Sequence, residues 1–78
     1  MGMVKAYILM RTRPGTSQEV VAALRKVKGV IRADSVYGRF DAVILVEAES
    51  LEALSRLVYE VIGKQPNVVH TETSVVLE

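Results

Sequence analysis

Three observations predict an α+β fold: a four-stranded antiparallel sheet with two helices on one face, in the ferredoxin-like split βαβ arrangement. The apolar pattern alternates between period 2 and period 3.6 in the order β-α-β-β-α-β. The first and third strand candidates are apolar on both faces, whereas the second and fourth are mixed, as central and edge strands should be. Segments 29–36 and 67–75, each following an amphipathic helix, also echo one another weakly, as two βαβ units with right-handed crossovers would. At 78 residues the chain is expected to form one domain spanning 1–78.

The elements follow in order. Met3 to Arg11 reads as strand 1, with Val4, Ala6, Ile8 and Met10 on one face and Tyr7 and Leu9 on the other. Thr12-Arg13-Pro14-Gly15 is a turn signal. Thr16-Ser17-Gln18-Glu19 has the form of a capping box, and Val20, Ala23, Leu24 and Val27 make a helical core stripe that Gly29 stops. Val30 to Tyr37 is strand 2, and Gly38-Arg39-Phe40-Asp41 links it to strand 3, Ala42 to Glu47. Ser50 can cap a second helix whose stripe is Leu51, Leu54, Val58, Val61 and Ile62, with Leu57 beside it. Lys64-Gln65-Pro66-Asn67 ends that helix, and Val68 to Leu77 is strand 4.

Composition narrows function mainly by exclusion. There is no cysteine and only one histidine, which removes disulfides, thiolate zinc sites and His-rich metal sites; no metal and no cofactor is expected. Ten basic against nine acidic residues is no nucleic-acid footprint. No apolar run reaches the roughly 18 residues of a membrane span, and the N-terminus has neither a signal peptide nor a myristoylation pattern, so a cytoplasmic location is expected. Half of the residues are hydrophobic in a chain of marginal size. Two short helices can cover only one face of the sheet, so the second faces of strands 1 and 3 should form an apolar patch. The expectation is an obligate homodimer packed sheet to sheet about a two-fold axis.

Catalytic signals are few. His70 has no carboxylate at a diagnostic spacing, and an exposed edge-strand imidazole accounts for it. Arg11 and Arg13 beside Pro14-Gly15 can hold an anion or simply end a solvated strand. Thr12-Arg13-Pro14-Gly15-Thr16 lacks the glycine-rich form of a phosphate-holding loop. Two small constellations remain. Asp41 starts a central strand, where its carboxylate can hold an ammonium group or make an ordinary turn contact. Thr71 and Thr73 put two hydroxyls on one strand face, which serves a ligand or simply satisfies β-propensity.

In sequence order, the landmarks are Arg13-Pro14-Gly15, Gly29-Val30, the Gly-x-Tyr/Phe-Asp form of Gly38-Arg39-Phe40-Asp41, and Asn67-Val68 through Thr71-x-Thr73 to Val75-Val76-Leu77. On these the sequence resembles the effector-binding (RAM) domain of the leucine-responsive regulatory protein/AsnC family over essentially its whole length. Family members place a helix-turn-helix before this domain. Here strand 1 starts at Met3, so a stand-alone RAM protein without direct DNA binding is expected. Asn67 stands where the family usually has Gly; Asn also tolerates a left-handed backbone.

The resemblance implies sheet-to-sheet dimers that join into rings, with an amino-acid effector at contacts between dimers. It places Gly38, Phe40 and Asp41 by the effector, with Asp41 taking the α-ammonium group and Thr71 and Thr73 offering hydroxyls. Arg13 and Pro14 would close the pocket from a neighbouring subunit. The implied role is a non-enzymatic amino-acid sensor that modulates partner proteins, full-length members of the family among them. Two alternatives share the element order: a dimeric α+β-barrel enzyme of the monooxygenase type, which needs a polar or His-lined cavity between helices and sheet, and a regulatory module of the ACT type. The position of the pocket discriminates between them.

Overall fold

The computed structural model describes residues 2–77. Strands β1 (Val4–Thr12), β2 (Val30–Ser35), β3 (Ala42–Ala48) and β4 (Val68–Val75) form one antiparallel sheet in the order β2-β3-β1-β4. The two-faced apolar strands are the central pair, as their composition predicts. Helix α1 (Ser17–Leu24) packs over β2, and α2 (Leu51–Arg56) packs over β3 and β1. The core cluster is made of aliphatic side chains and Met. Ala6, Ile8, Met10, Ala42, Ile44 and Val46 come from the sheet, met by Val20, Val21, Leu24, Leu54 and Ile62 from the helices. Over β1 and β3 the layers meet through aliphatic side chains and Met.

The opposite face stays open. Tyr7 is 46% exposed, and Leu9, Val43 and Leu45 are only half-buried. An Arg32–Asp34 ion pair at 2.7 Å on β2 and a His70–Glu72 contact at 3.5 Å on β4 flank this strip. The accessible surface is 5449 Å². A compact monomer of this mass would expose about 4,700 Å². The surplus of about 750 Å² is close to what one partner contributes to a standard protein interface.

Several local expectations change. The capping box does not form: Thr16 adopts a helical backbone, and its hydroxyl donates to the Arg13 carbonyl at 2.7 Å instead of accepting from Glu19. Helix α1 ends at Leu24, and i→i−3 bonds from Lys26 and Val27 tighten the next turn. Val21 joins the core, Ala23 is half-buried, and Val27 still packs against the core. Strand β2 stops at Ser35, two residues earlier than expected, because the Val36 amide turns to the Asp41 carbonyl. Both edge pairings contain a bulge, with Ile31 and Val69 as the extra residues. Ser50 does cap α2, accepting from the Ala53 amide at 3.0 Å.

The second helix changes pitch midway. After Arg56 it widens into a π-helical segment, Leu57–Ile62, closed by the Gly63 amide on the Val58 carbonyl at 2.7 Å. The wider turn breaks the 3.6-residue stripe. Leu54 and Ile62 are buried, Leu57 and Val58 lean on the core, and Leu51 and Val61 are 57% and 39% exposed.

Candidate functional site

The strand register decides which side chains of β4 meet the helix layer. Thr71 pairs with Met10, Thr73 with Ile8 and Val75 with Ala6, all partners on the covered face. The two helices nevertheless lie mainly over β2, β3 and β1. Over β4 the covered face therefore opens as a groove of about 580 Å³ between the strand and the second helix. This lies within the range of small-molecule sites.

Leu51, Leu54 and Val58 form the helical wall of the groove, and Thr71, Thr73 and Val75 form the strand wall. Ser55 and Tyr59 add hydroxyls, and Gly63 with Lys64 closes the end beyond the π turn. The lining is therefore largely apolar, with hydroxyls, one cation and no carboxylate. Lys64 makes no ion pair among the described residues. The sequence singled out Thr71 and Thr73 but not Ser55, Tyr59 or Lys64. Gly63-Lys64-Gln65-Pro66 reads as a helix stop, and nothing local marks Lys64 as a residue that lines a groove.

The other expected site residues gather elsewhere, at the end of the sheet where β1 finishes and β3 and β4 begin. Asp41 ties this end together. Its amide donates to Met10, its carbonyl accepts from Val36, and its Oδ2 accepts from the Thr12 amide at 2.8 Å. The Oδ1 atom makes no hydrogen bond among the described residues. The guanidinium carbons of Arg11 and Arg39 lie 5.9 Å and 6.0 Å from the Phe40 ring centre. The Arg13 amide donates to the Asn67 carbonyl at 2.9 Å, and Asn67 has the left-handed φ of 75° expected of it. Gly38, Arg13 and Pro14 are exposed, and none of them lines the groove. Within one chain the threonines thus share a pocket, while Gly38, Phe40, Asp41, Arg13 and Pro14 form a separate cluster. Among the described residues no group of three or more His, Cys, Asp or Glu can hold a metal, and no helix is long and apolar enough to cross a membrane.

The Lrp/AsnC ligand binding domain model matches residues 5–78. A hypothetical protein from Pyrococcus horikoshii is 36% identical, with a TM-score of 0.91 over 97% of this chain and 92% of that one. A protein from Thermus thermophilus is 30% identical, with a TM-score of 0.90 over 97% and 95% of the two chains. A feast or famine regulatory protein from Mycobacterium tuberculosis, solved in complex with L-methionine, is 26% identical. Its TM-score is 0.81, and the match covers 96% of this chain but 50% of that one. No curated protein sequence matches.

Proposed function

The chain belongs to the Lrp/AsnC ligand binding domain family, a regulatory and not an enzymatic one, and on that premise we propose that it is an amino-acid sensor acting on partner regulators. The observation that carries this reading is the groove. It is a pocket of suitable size, largely apolar, with Thr71 and Thr73 in its strand wall. The methionine complex of the mycobacterial relative supports an amino acid as the effector class.

In the proposed assembly, the open sheet faces of two copies pack together, supported by the surplus surface and the half-exposed Tyr7, Leu9, Val43 and Leu45. Dimers then join into rings. At contacts between dimers the sheet-end cluster of one subunit completes the groove of another: Gly38, Phe40 and Asp41 lie by the effector, and Arg13 and Pro14 close over it. Full-length Lrp/AsnC regulators are the proposed partners, in the cytoplasm, with no direct DNA contact and no metal or cofactor.

The test is a thermal-shift screen over the twenty amino acids, followed by sedimentation with any hit. A ligand at 100 times its Kd should stabilise the protein by about 2.7 kcal/mol. Replacing Thr71 and Thr73 together by Val should remove the shift while the assembly persists. A screen without any hit refutes the sensor reading, and a shift that survives the double substitution moves the site away from the groove.

A further inference from the structure

Tyr37 is fully exposed, in the turn that carries Gly38, Phe40 and Asp41. We infer that Tyr37 of one copy of this chain seats on the rim of the groove of a second copy and closes the effector pocket there. The inference rests on the proposed reading of the groove as the effector site.

The turn presents the Tyr37 ring. The Val36 amide donates to the Asp41 carbonyl at 2.9 Å, which closes residues 36–41 into a short loop. The Phe40 ring has the guanidiniums of Arg11 and Arg39 near it, whereas Tyr37 stands clear and Val36 beside it is exposed as well. A tyrosine brings a large contact area at low entropy cost and is a common interface anchor. One exposed aromatic alone is ordinary. Here it shares a turn with the residues proposed to complete the groove.

The groove supplies the matching surface. Leu54 is buried in it, but Leu51 and Tyr59 on the helix and Val75 on the strand are exposed. An effector held against Leu54, Val58, Thr71 and Thr73 leaves that apolar rim in water unless a further wall covers it. Charge agrees with the match. Arg39 is exposed in the turn, and Glu52 and Glu60, next in sequence to Leu51 and Tyr59, are exposed too. Within one chain the two surfaces lie apart: the turn joins β2 to β3, whereas the groove lies over β4, and β1 separates β3 from β4. The fit is therefore between different surfaces of two copies, the head-to-tail contact that generates rings.

Sedimentation of the intact chain from micromolar to millimolar concentration tests this with Tyr37→Ala, Tyr37→Phe and Leu51→Asp. Tyr37→Ala should weaken the contact between dimers on the order of thirtyfold, as loss of an interface anchor does, and Tyr37→Phe should assemble like the parent. Leu51→Asp should do at least as much damage by placing a charge under the ring. Leu51 is the first residue of α2, where an aspartate suits the helix, and both side chains are exposed, so the fold should persist. A mixture of Tyr37→Ala and Leu51→Asp should regain assembly, because the ring of one fits the groove of the other. A parent that stays dimeric, an undiminished Tyr37→Ala, a Tyr37→Phe as weak as Tyr37→Ala, or a mixture no larger than its components overturns the inference. An amino acid that raises the Tm of the parent and of Tyr37→Ala equally also overturns it, and leaves the sensor standing. Assembly regained in the mixture while no amino acid raises the Tm supports the inference and refutes the sensor.

Discussion

Replacing Asp41 by Ala removes the acceptor that holds the end of β1 against β3. The Thr12 amide donates to Oδ2 at 2.8 Å, and Thr12 is 8% exposed, so the truncated protein leaves a buried N–H without a partner. A hydrogen bond to a charged group contributes about 1.5–3 kcal/mol net. Asp41→Ala should therefore cost about 2 kcal/mol, or roughly 8–16 °C in Tm for a domain of this size. Asp41→Asn keeps an acceptor oxygen and should cost less than about 1 kcal/mol, because a neutral bond replaces a charged one. Urea denaturation at one fixed protein concentration measures both, since a dimer's stability depends on concentration. The two variants also separate the roles proposed for Asp41. If it takes an ammonium group in the assembly, Asn loses amino-acid binding while keeping the fold and the dimer. A loss below about 0.5 kcal/mol for Ala, or an Asn variant no better than Ala, would refute the account of Asp41 as the tie at this end of the sheet.

Gly29 has a φ of +98°, and an added Cβ would sit 3.0 Å from Leu57 Cδ2 and 3.2 Å from the Glu47 carbonyl oxygen. Gly29→Ala should cost about 2–5 kcal/mol from left-handed strain and overpacking, and a loss under about 1 kcal/mol in urea would contradict that packing. Leu45→Arg puts a charge in the middle of the open sheet face without touching the core; it should weaken the proposed dimer at least about a hundredfold. Sedimentation equilibrium reads this directly, and an unchanged mass at micromolar concentration would exclude that face as the interface.

The layout was legible because strand polarity and element order carry the same information twice. Val4-Lys5-Ala6-Tyr7-Ile8-Leu9-Met10 and Ala42-Val43-Ile44-Leu45-Val46 need neighbours on both sides, and only one sheet order supplies them. Boundaries were less legible where a single backbone bond outweighs propensity. Val36 and Tyr37 have strand-like side chains, yet β2 ends when the Val36 amide finds Asp41. The groove was half legible: period 2 places Thr71 and Thr73 on one face, whereas the contribution of Lys64 depends on a change of helical pitch that a 3.6-residue stripe cannot express. Val61, read as core, lies outside it for the same reason, and Leu51, also read as core, lines the groove instead.

That change of pitch gives the chain an unusual route for variation. A π turn holds roughly one residue more than an α turn, so deleting one residue within 57–62 is an operation the helix can absorb by relaxing to its commoner form. Such a deletion would remove the extra residue of the wide turn and leave the residues on either side facing as they do now. Leu54 and Ile62 would keep their seats in the hydrophobic interior. The second helix thus has a place where the chain can lose a codon without a change of register between its two ends.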